Sequence, residues 1–202
     1  MHGADLFIAL DLGNVLSLVD EGVGAREFAN MSGKQEWEAF DAVFAPARKV
    51  PIETGNQSIE DFSRECCERL GVQIPQDRFR TVYESVLTPN WAVFPLVERL
   101  MHSYRVGLCS NTSSVHWELE RRRLPFARRL EPAIVSYQVG VMKPEAGIFA
   151  ALARQAGVDA GRILFIDDRS ENVEGAERAG LSALEFKSVA GLEADLKRLG
   201  VI

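Results

Sequence analysis

Apolar residues fall along this chain in two rhythms. Short unbroken runs at Leu6–Leu10, Val106–Cys109, Ala133–Ser136, Ile163–Ile166 and Ser182–Phe186 have the length of buried strands. Between and after the later runs, residues near Ser113–Arg123, Pro144–Ala156, Asn172–Ala179 and Leu192–Leu199 repeat at helical spacing. That alternation predicts an α/β fold, a doubly wound, Rossmann-like parallel sheet. One interval breaks it, because the gap between the first run and Val106 is far longer than a crossover helix needs. The gap holds amphipathic stretches around Ala25–Met31, Lys34–Phe44, Ile59–Leu70 and Gln76–Leu87, separated by Gly33, Pro51, Gly55, Gly71 and Pro75. A small helical cap inserted after the first strand is therefore expected over residues 18–88, with Pro89–Pro95 as the return hinge. Residues 1–17 and 89–202 would form the α/β core.

Composition narrows the function classes. At 202 residues and 47% hydrophobic, the chain can bury a substantial core. It carries no long uncharged apolar segment and no cationic leader, so a soluble cytoplasmic protein that does not engage a membrane is expected. A formal net charge of −6 speaks against nucleic acid as a partner; Arg121–Arg123 and Arg128-Arg129 read as a solvated face or the cationic end of a helix. Cys66, Cys67 and Cys109 lack metal-site spacing and read as reduced packing residues. His2, His102 and His116 are scattered, which leaves zinc or imidazole chemistry unsupported. Monomer and homodimer are equally compatible with the sequence.

The candidate chemistry lies where apolar runs stop. Residues 6–16, LFIALDLGNVL, end a strand-like run in Asp11 and break at once into Gly13 and Asn14. Residues 105–112, RVGLCSNT, close on Ser110, Asn111 and Thr112. Residues 139–144, VGVMKP, read as a further run with Lys143 at its end and Pro144 suited to the first turn of a helix. Residues 162–172, RILFIDDRSEN, end in Asp167 and Asp168. Taken singly, Asp11 serves equally well as a helix cap, Ser110-Asn111 as another cap, Lys143 as a surface charge and Asp167-Asp168 as a polar turn. On one rim of a parallel sheet they would instead combine a carboxylate nucleophile, hydroxyl and amide donors, an ammonium and a carboxylate cluster able to hold a hard cation.

The order and chemistry of DLGNVL, SNT, KP and DDRSEN resemble the haloacid dehalogenase superfamily of phosphotransferases, over most of the chain from Asp11 to Asn172. DLGNV, with the cap segment ETGNQSIEDF (residues 53–62) and the Asp-Asp motif with its later Asn, is more narrowly similar to bacterial sugar-phosphate phosphatases of the glucose-1-phosphatase type. The phosphatase lobe of bifunctional epoxide hydrolases is a more distant likeness. The resemblance implies a Mg²⁺-dependent phosphatase acting on a small phosphorylated metabolite such as a sugar 1-phosphate. Asp11 would form an aspartyl-phosphate, and Mg²⁺ would be held by Asp11, the Gly13 carbonyl and Asp168, with Asp167 beside them. Ser110 and Lys143 would bind phosphoryl oxygens, with Asn111 donating nearby. Asn172 would orient the metal carboxylates.

Gly13 departs from the family pattern, since most of these phosphatases place an acid/base Asp there. General acid/base catalysis is worth about 10² to 10⁴-fold, so its absence should be felt. An anomeric phosphate, whose leaving oxygen is a stabilised hemiacetal, would lessen the need, and Asp20 is a candidate relocated acid. The same gap fits a 2-haloacid dehalogenase, against which the Asp167-Asp168 pair argues because extra carboxylates would oppose attack by an unmetallated Asp11. It also fits a catalytically silent phosphate-binding regulatory protein, for which a nucleophile would be superfluous. Substrate choice is expected from the Glu53-Thr54-Gly55 turn of the cap, while Trp37, Phe44 and Trp91 read mainly as packing residues.

Overall fold

Every second residue of a buried strand faces the same side of its sheet, and the first strand, β1 (Phe7–Leu10), shows what that does here. Ile8 and Leu10 join one apolar cluster, Phe7 and Ala9 the other, and all four are buried. The computed structural model describes residues 6–202. After β1 come β2 (Ser17–Val19) and five helices: α1 (Glu21–Ser32), α2 (Glu36–Val43), α3 (Pro46–Glu53), α4 (Ile59–Leu70) and α5 (Gln76–Glu84). Then follow β3 (Leu87–Pro89), α6 (Phe94–Ser103), β4 (Arg105–Ser110), α7 (Ser114–Arg123), β5 (Ala133–Val135), α8 (Ser136–Val139) and α9 (Ala146–Ala156). The chain closes with β6 (Ile163–Asp167), α10 (Ser170–Arg178), β7 (Ser182–Glu185) and α11 (Val189–Arg198).

The five longer-range strands form one parallel sheet in the order β5-β4-β1-β6-β7, with Ile8 in register with Val106 on one side and Leu164 on the other. Helices α6 and α11 pack on the face presented by Ile8 and Leu10, and α9 and α10 on the opposite face. This is the expected doubly wound α/β architecture with a helical insert after β1. The insert has its own apolar cluster, in which Phe28, Phe44, Phe62, Phe79 and Tyr83 pack ring against ring. Short β2 and β3 pair antiparallel where the chain enters and leaves it.

Two sequence expectations need correction. Pro51 does not separate helices; it lies inside α3, a helix the apolar pattern does not reveal because Ile52 is its one buried residue. Eight residues make barely two turns, so the proline's missing N–H removes only one ladder bond there. Lys143 does not end a strand, and Pro144 does not open a helix. Gly140, at φ +73, stops α8, and α9 begins only at Ala146, so Lys143 sits on a connecting loop. That loop is tethered to the end of β4: the Asn111 side chain accepts from the Lys143 N–H at 2.7 Å and donates to its carbonyl at 2.9 Å.

Insert and sheet are fastened to each other through α7. Ser17 donates to the buried Glu120 carboxylate at 2.5 Å, and Arg123 donates to the Leu87 carbonyl at 2.9 Å, so both connecting strands are gripped by one helix. His116, also on α7, donates from Nε2 to the Tyr83 carbonyl at 2.9 Å and stacks on the Tyr83 ring at 4.3 Å. Gly55 makes a third contact: it adopts φ +73, and a Cβ there would lie 2.2 Å from the Tyr137 carbonyl oxygen, so the turn after α3 presses directly on α8.

His116 links this fastening to pH. Burial lowers its pKa from 6.5 to about 4, so the folded protein keeps the ring neutral while the unfolded chain takes up a proton below pH 6.5. Its contribution is neutral above pH 6.5 and costs stability as the pH falls toward 4, by about 3 kcal/mol in all. Urea unfolding of wild type and His116→Gln from pH 8 to pH 4 should therefore show a smaller acid loss in the variant, with the two curves diverging below about pH 6.5.

Candidate active site

In a parallel sheet the strand ends meet at one rim, and ligands bind where the strand order reverses. Here β1 is central, and Asp11 follows it, continuing the ladder with its N–H on the Ile166 carbonyl at 2.9 Å. Ser110 ends β4 and Asp167 ends β6, on either side. Carboxylate oxygens of Asp11, Asp167 and Asp168 all lie within 4.8 Å of one another. Between them, Lys143 Nζ stands 2.7 Å from Asp11 Oδ1 and 2.5 Å from Asp167 Oδ2, and also donates to the Cys109 carbonyl at 2.9 Å. The Lys143 side chain is 1% exposed, so this is a buried ion cluster.

The two adjacent aspartates have different surroundings. Asp167 is saturated, accepting from Lys143, from the Arg169 N–H at 2.9 Å and from Asn172 Nδ2 at 2.9 Å. Asn172 thus acts on the cluster through Asp167. Asp168 faces the cleft and, among the described residues, accepts one side-chain bond, from Asn14 Nδ2 at 2.9 Å. Asn14 takes φ +54, a left-handed angle that asparagine tolerates, while its Oδ1 accepts from the Val19 N–H. A glycine would make the same turn without gripping Asp168. Nothing along the sequence marks Asn14 as more than part of a turn.

Electrostatics follow from the crowding. Burial, reinforced by Asp167 and opposed by Lys143, pushes the Asp11 carboxyl up to about 7. Burial works against the charge on Lys143 too, but Asp11 and Asp167 together hold it above the ordinary lysine value. Burial also raises Asp168, against the Asn14 hydrogen bond. Three carboxylates outnumber the one ammonium, and an oxygen-liganded divalent cation would favour the ionised form of all three. The donor set, carboxylates with water access through a cleft, suits Mg²⁺.

A cleft of about 350 Å³ opens over these residues. Its core wall includes Asp11, Gly13, Asn111, Lys143, Asp168 and Asn172, which brings most of the sequence-predicted site together. Ser110 is buried at the end of β4 and does not line it. The insert supplies the facing wall with Glu21, Lys49 and Glu53. Asp20 is not on that wall; its carboxylate caps α1 through the Gly22 N–H. Phe44 is packed inside the insert, Trp37 and Trp91 are exposed, and none of the three lines the cleft. Cys109, pushed up to about 12 by burial, and the other free cysteines are packing residues. His2 lies outside the described residues. A larger groove of about 640 Å³ by Arg154 and Arg162 lies at the amino end of β6, away from this rim.

The family described as haloacid dehalogenase-like hydrolase matches residues 8–180. The chain belongs to that family of hydrolases. Among its relatives, a D-ribitol-5-phosphate phosphatase of Bacteroides thetaiotaomicron is 21% identical over 196 residues, covering 94% of this chain and 95% of that protein. A HAD family enzyme from the same organism, solved as a magnesium complex, is 26% identical with a TM-score of 0.79, over 92% of this chain and 94% of the other. A HAD-like family hydrolase from Porphyromonas gingivalis superposes with a TM-score of 0.83 at 24% identity, over 98% of both chains. In this hydrolase no helix among the described residues is long and apolar enough to cross a membrane.

Lys143 is the electrostatic keystone, and its removal should be costly. Lys143→Met leaves Asp11 and Asp167 buried and unpaired, with an expected loss of about 3 to 5 kcal/mol in urea unfolding at pH 8. The loss should shrink at pH 5, below the value near 7 to which burial raises Asp11, because that carboxyl is then neutral.

Proposed function

We propose that this hydrolase is a Mg²⁺-dependent phosphatase of a small hydroxyl-rich phosphate ester, a sugar or polyol phosphate. Residues 18–88 act as the cap, and residues 1–17 and 89–202 as the catalytic core. The observation that carries the reading is Asp11 at the end of the central strand, 2.7 Å from a buried lysine and within the carboxylate cluster. In-line phosphoryl transfer needs that combination of nucleophile and positive charge. Asp11 attacks phosphorus and holds the phosphoryl group as an aspartyl-phosphate, which water then hydrolyses. Lys143 draws the phosphoryl oxygens toward Asp11, and Asn111 donates from the end of β4. Asp11, Asp168 and the Gly13 carbonyl would hold the metal. When bound, Mg²⁺ neutralises charge between the carboxylates and the phosphate dianion.

The substrate class rests on three supports. The relative above is a phosphatase of a polyol phosphate, the cleft has room for a small metabolite, and the wall from the insert offers Glu21, Lys49 and Glu53 as partners for hydroxyl groups. Halide displacement from a 2-haloacid fits less well, because it has no use for the Asp168 carboxylate beside a buried Asp11. A silent binding protein would have no use for Asp11.

The test uses the purified protein and a panel of sugar and polyol phosphates. Phosphate release should require Mg²⁺, stop in excess chelator and resume when the metal is restored. Asp11→Asn should lose at least about 10⁴-fold in kcat with its circular dichroism unchanged, as expected when a nucleophile is removed isosterically. Chloride release from a 2-haloacid, or phosphate release by Asp11→Asn at the wild-type rate, would overturn the reading.

A further inference from the structure

Gly13 leaves the leaving oxygen without an acid on the core side of the cleft. The loop does not demand that glycine: its backbone angle is an ordinary one, and a Cβ there would meet nothing nearer than Val19 Cγ2 at 3.4 Å. The proton must come from another wall.

Glu53, the last residue of α3, faces the same cleft as Asp11, Lys143 and Asp168. Its natural partner is Lys49, one helical turn back. The Lys49 ammonium, however, is taken by Glu21 at 2.5 Å. Among the described residues the Glu53 side chain consequently makes no hydrogen bond and no ion pair. Half-buried on the wall of the cleft, its carboxyl group is open to a bound ligand. Two residues on, Gly55 presses against the Tyr137 carbonyl and pins the end of α3 to the core, which fixes Glu53 over the site.

We propose that Glu53 is the general acid and base of this enzyme, taking the place of the carboxylate absent at position 13; the proposal rests on the phosphatase reading above. In the first step the Asp11 carboxylate oxygen bonds to phosphorus as the bond from phosphorus to the ester oxygen breaks. The electron pair goes to that oxygen, which takes the Glu53 proton and leaves as an alcohol. In the second step Glu53, now ionised, removes a proton from water as the water oxygen bonds to phosphorus. The bond from phosphorus to Asp11 breaks, inorganic phosphate departs, and both residues return to their starting state.

The surroundings suit an acid. Burial raises the Glu53 carboxyl above the usual glutamate range. Lys49 on its own helix opposes this, Glu21 on α1 adds to it, and Arg169 and Lys143 across the cleft oppose it. The Tyr83 hydroxyl, the other titratable group coupled to Glu53, is itself held well above its ordinary value by burial. A consequence follows for substrate choice. With an acid on the cap, hydrolysis is not confined to anomeric phosphates, and esters of ordinary primary alcohols come within reach.

The experiment compares glycerol 1-phosphate with p-nitrophenyl phosphate, whose leaving group needs no proton, in the Mg²⁺-loaded protein. Glu53→Gln should lose at least about a hundredfold in kcat/KM on glycerol 1-phosphate and less than about tenfold on p-nitrophenyl phosphate. On the aryl ester the variant should show a burst of nitrophenol stoichiometric with enzyme, because the second step has lost its base. Glu53→Asp should recover part of the alkyl activity. In the wild type, kcat/KM for the alkyl ester should fall as Glu53 ionises at higher pH while the aryl profile stays level there, a readout independent of how any variant folds. Equal losses on both esters, or wild-type alkyl activity in Glu53→Gln, or superposable wild-type pH profiles, would overturn the assignment and leave the phosphatase reading standing. A wild type that hydrolyses neither ester would overturn that reading and the proposal with it.

Discussion

The ammonium of Lys143 is the point on which the site depends. It is shut away from water beneath the sheet's carboxyl rim, between Asp11 and Asp167, and donates a further hydrogen bond to the Cys109 carbonyl. A charge in that position is tolerable only because two carboxylates and a carbonyl surround it, and the carboxylates are tolerable only because it is there. Everything nearby serves that balance. Asn111 fixes the loop that delivers the lysine, by bonding both its N–H and its carbonyl. Asn172 and the Arg169 N–H occupy the rest of Asp167. Asp168 is left turned outward, steadied by Asn14.

The cluster is overcharged as it stands, and that surplus connects structure to function. Surplus negative charge at the mouth of a cleft repels a phosphate dianion, and burial, with Asp167 adding to it, pushes the Asp11 carboxyl up to about 7. A divalent cation removes both difficulties. The family to which the chain belongs and the magnesium-bound relative agree with the donor set.

The insert contributes a lid whose position is determined by its attachments. Helix α7 grips both connecting strands and buries His116 against Tyr83, and Gly55 seats the end of α3 on α8. These contacts bring Glu21, Lys49 and Glu53 over a site that lies far away in sequence. The pairing of Lys49 with Glu21, which sets Glu53 free, is a product of how α1 and α3 pack.

The alternation of strands and helices, the helical insert and the order of the candidate chemistries are legible along the chain. Those features are local: an unbroken apolar run, a helical repeat or an Asp at the end of a strand depends on neighbouring residues alone. The same locality made Asp11, Lys143, Asp167 and Asp168 readable as candidates, and made α3 invisible, since a short helix with one buried residue and an internal proline has almost no periodic signal. That Lys143 arrives on a loop is a matter of packing, because Asn111, 32 residues away, holds it there. Packing likewise decides that Asn14 grips Asp168, that Asp20 merely caps a helix, and that Glu53, on a turn the sequence already marks for substrate choice, loses Lys49 to Glu21. Hydrogen bonds and ion pairs between distant segments are settled by packing, and no pattern along the chain records which carboxylate is left without a partner.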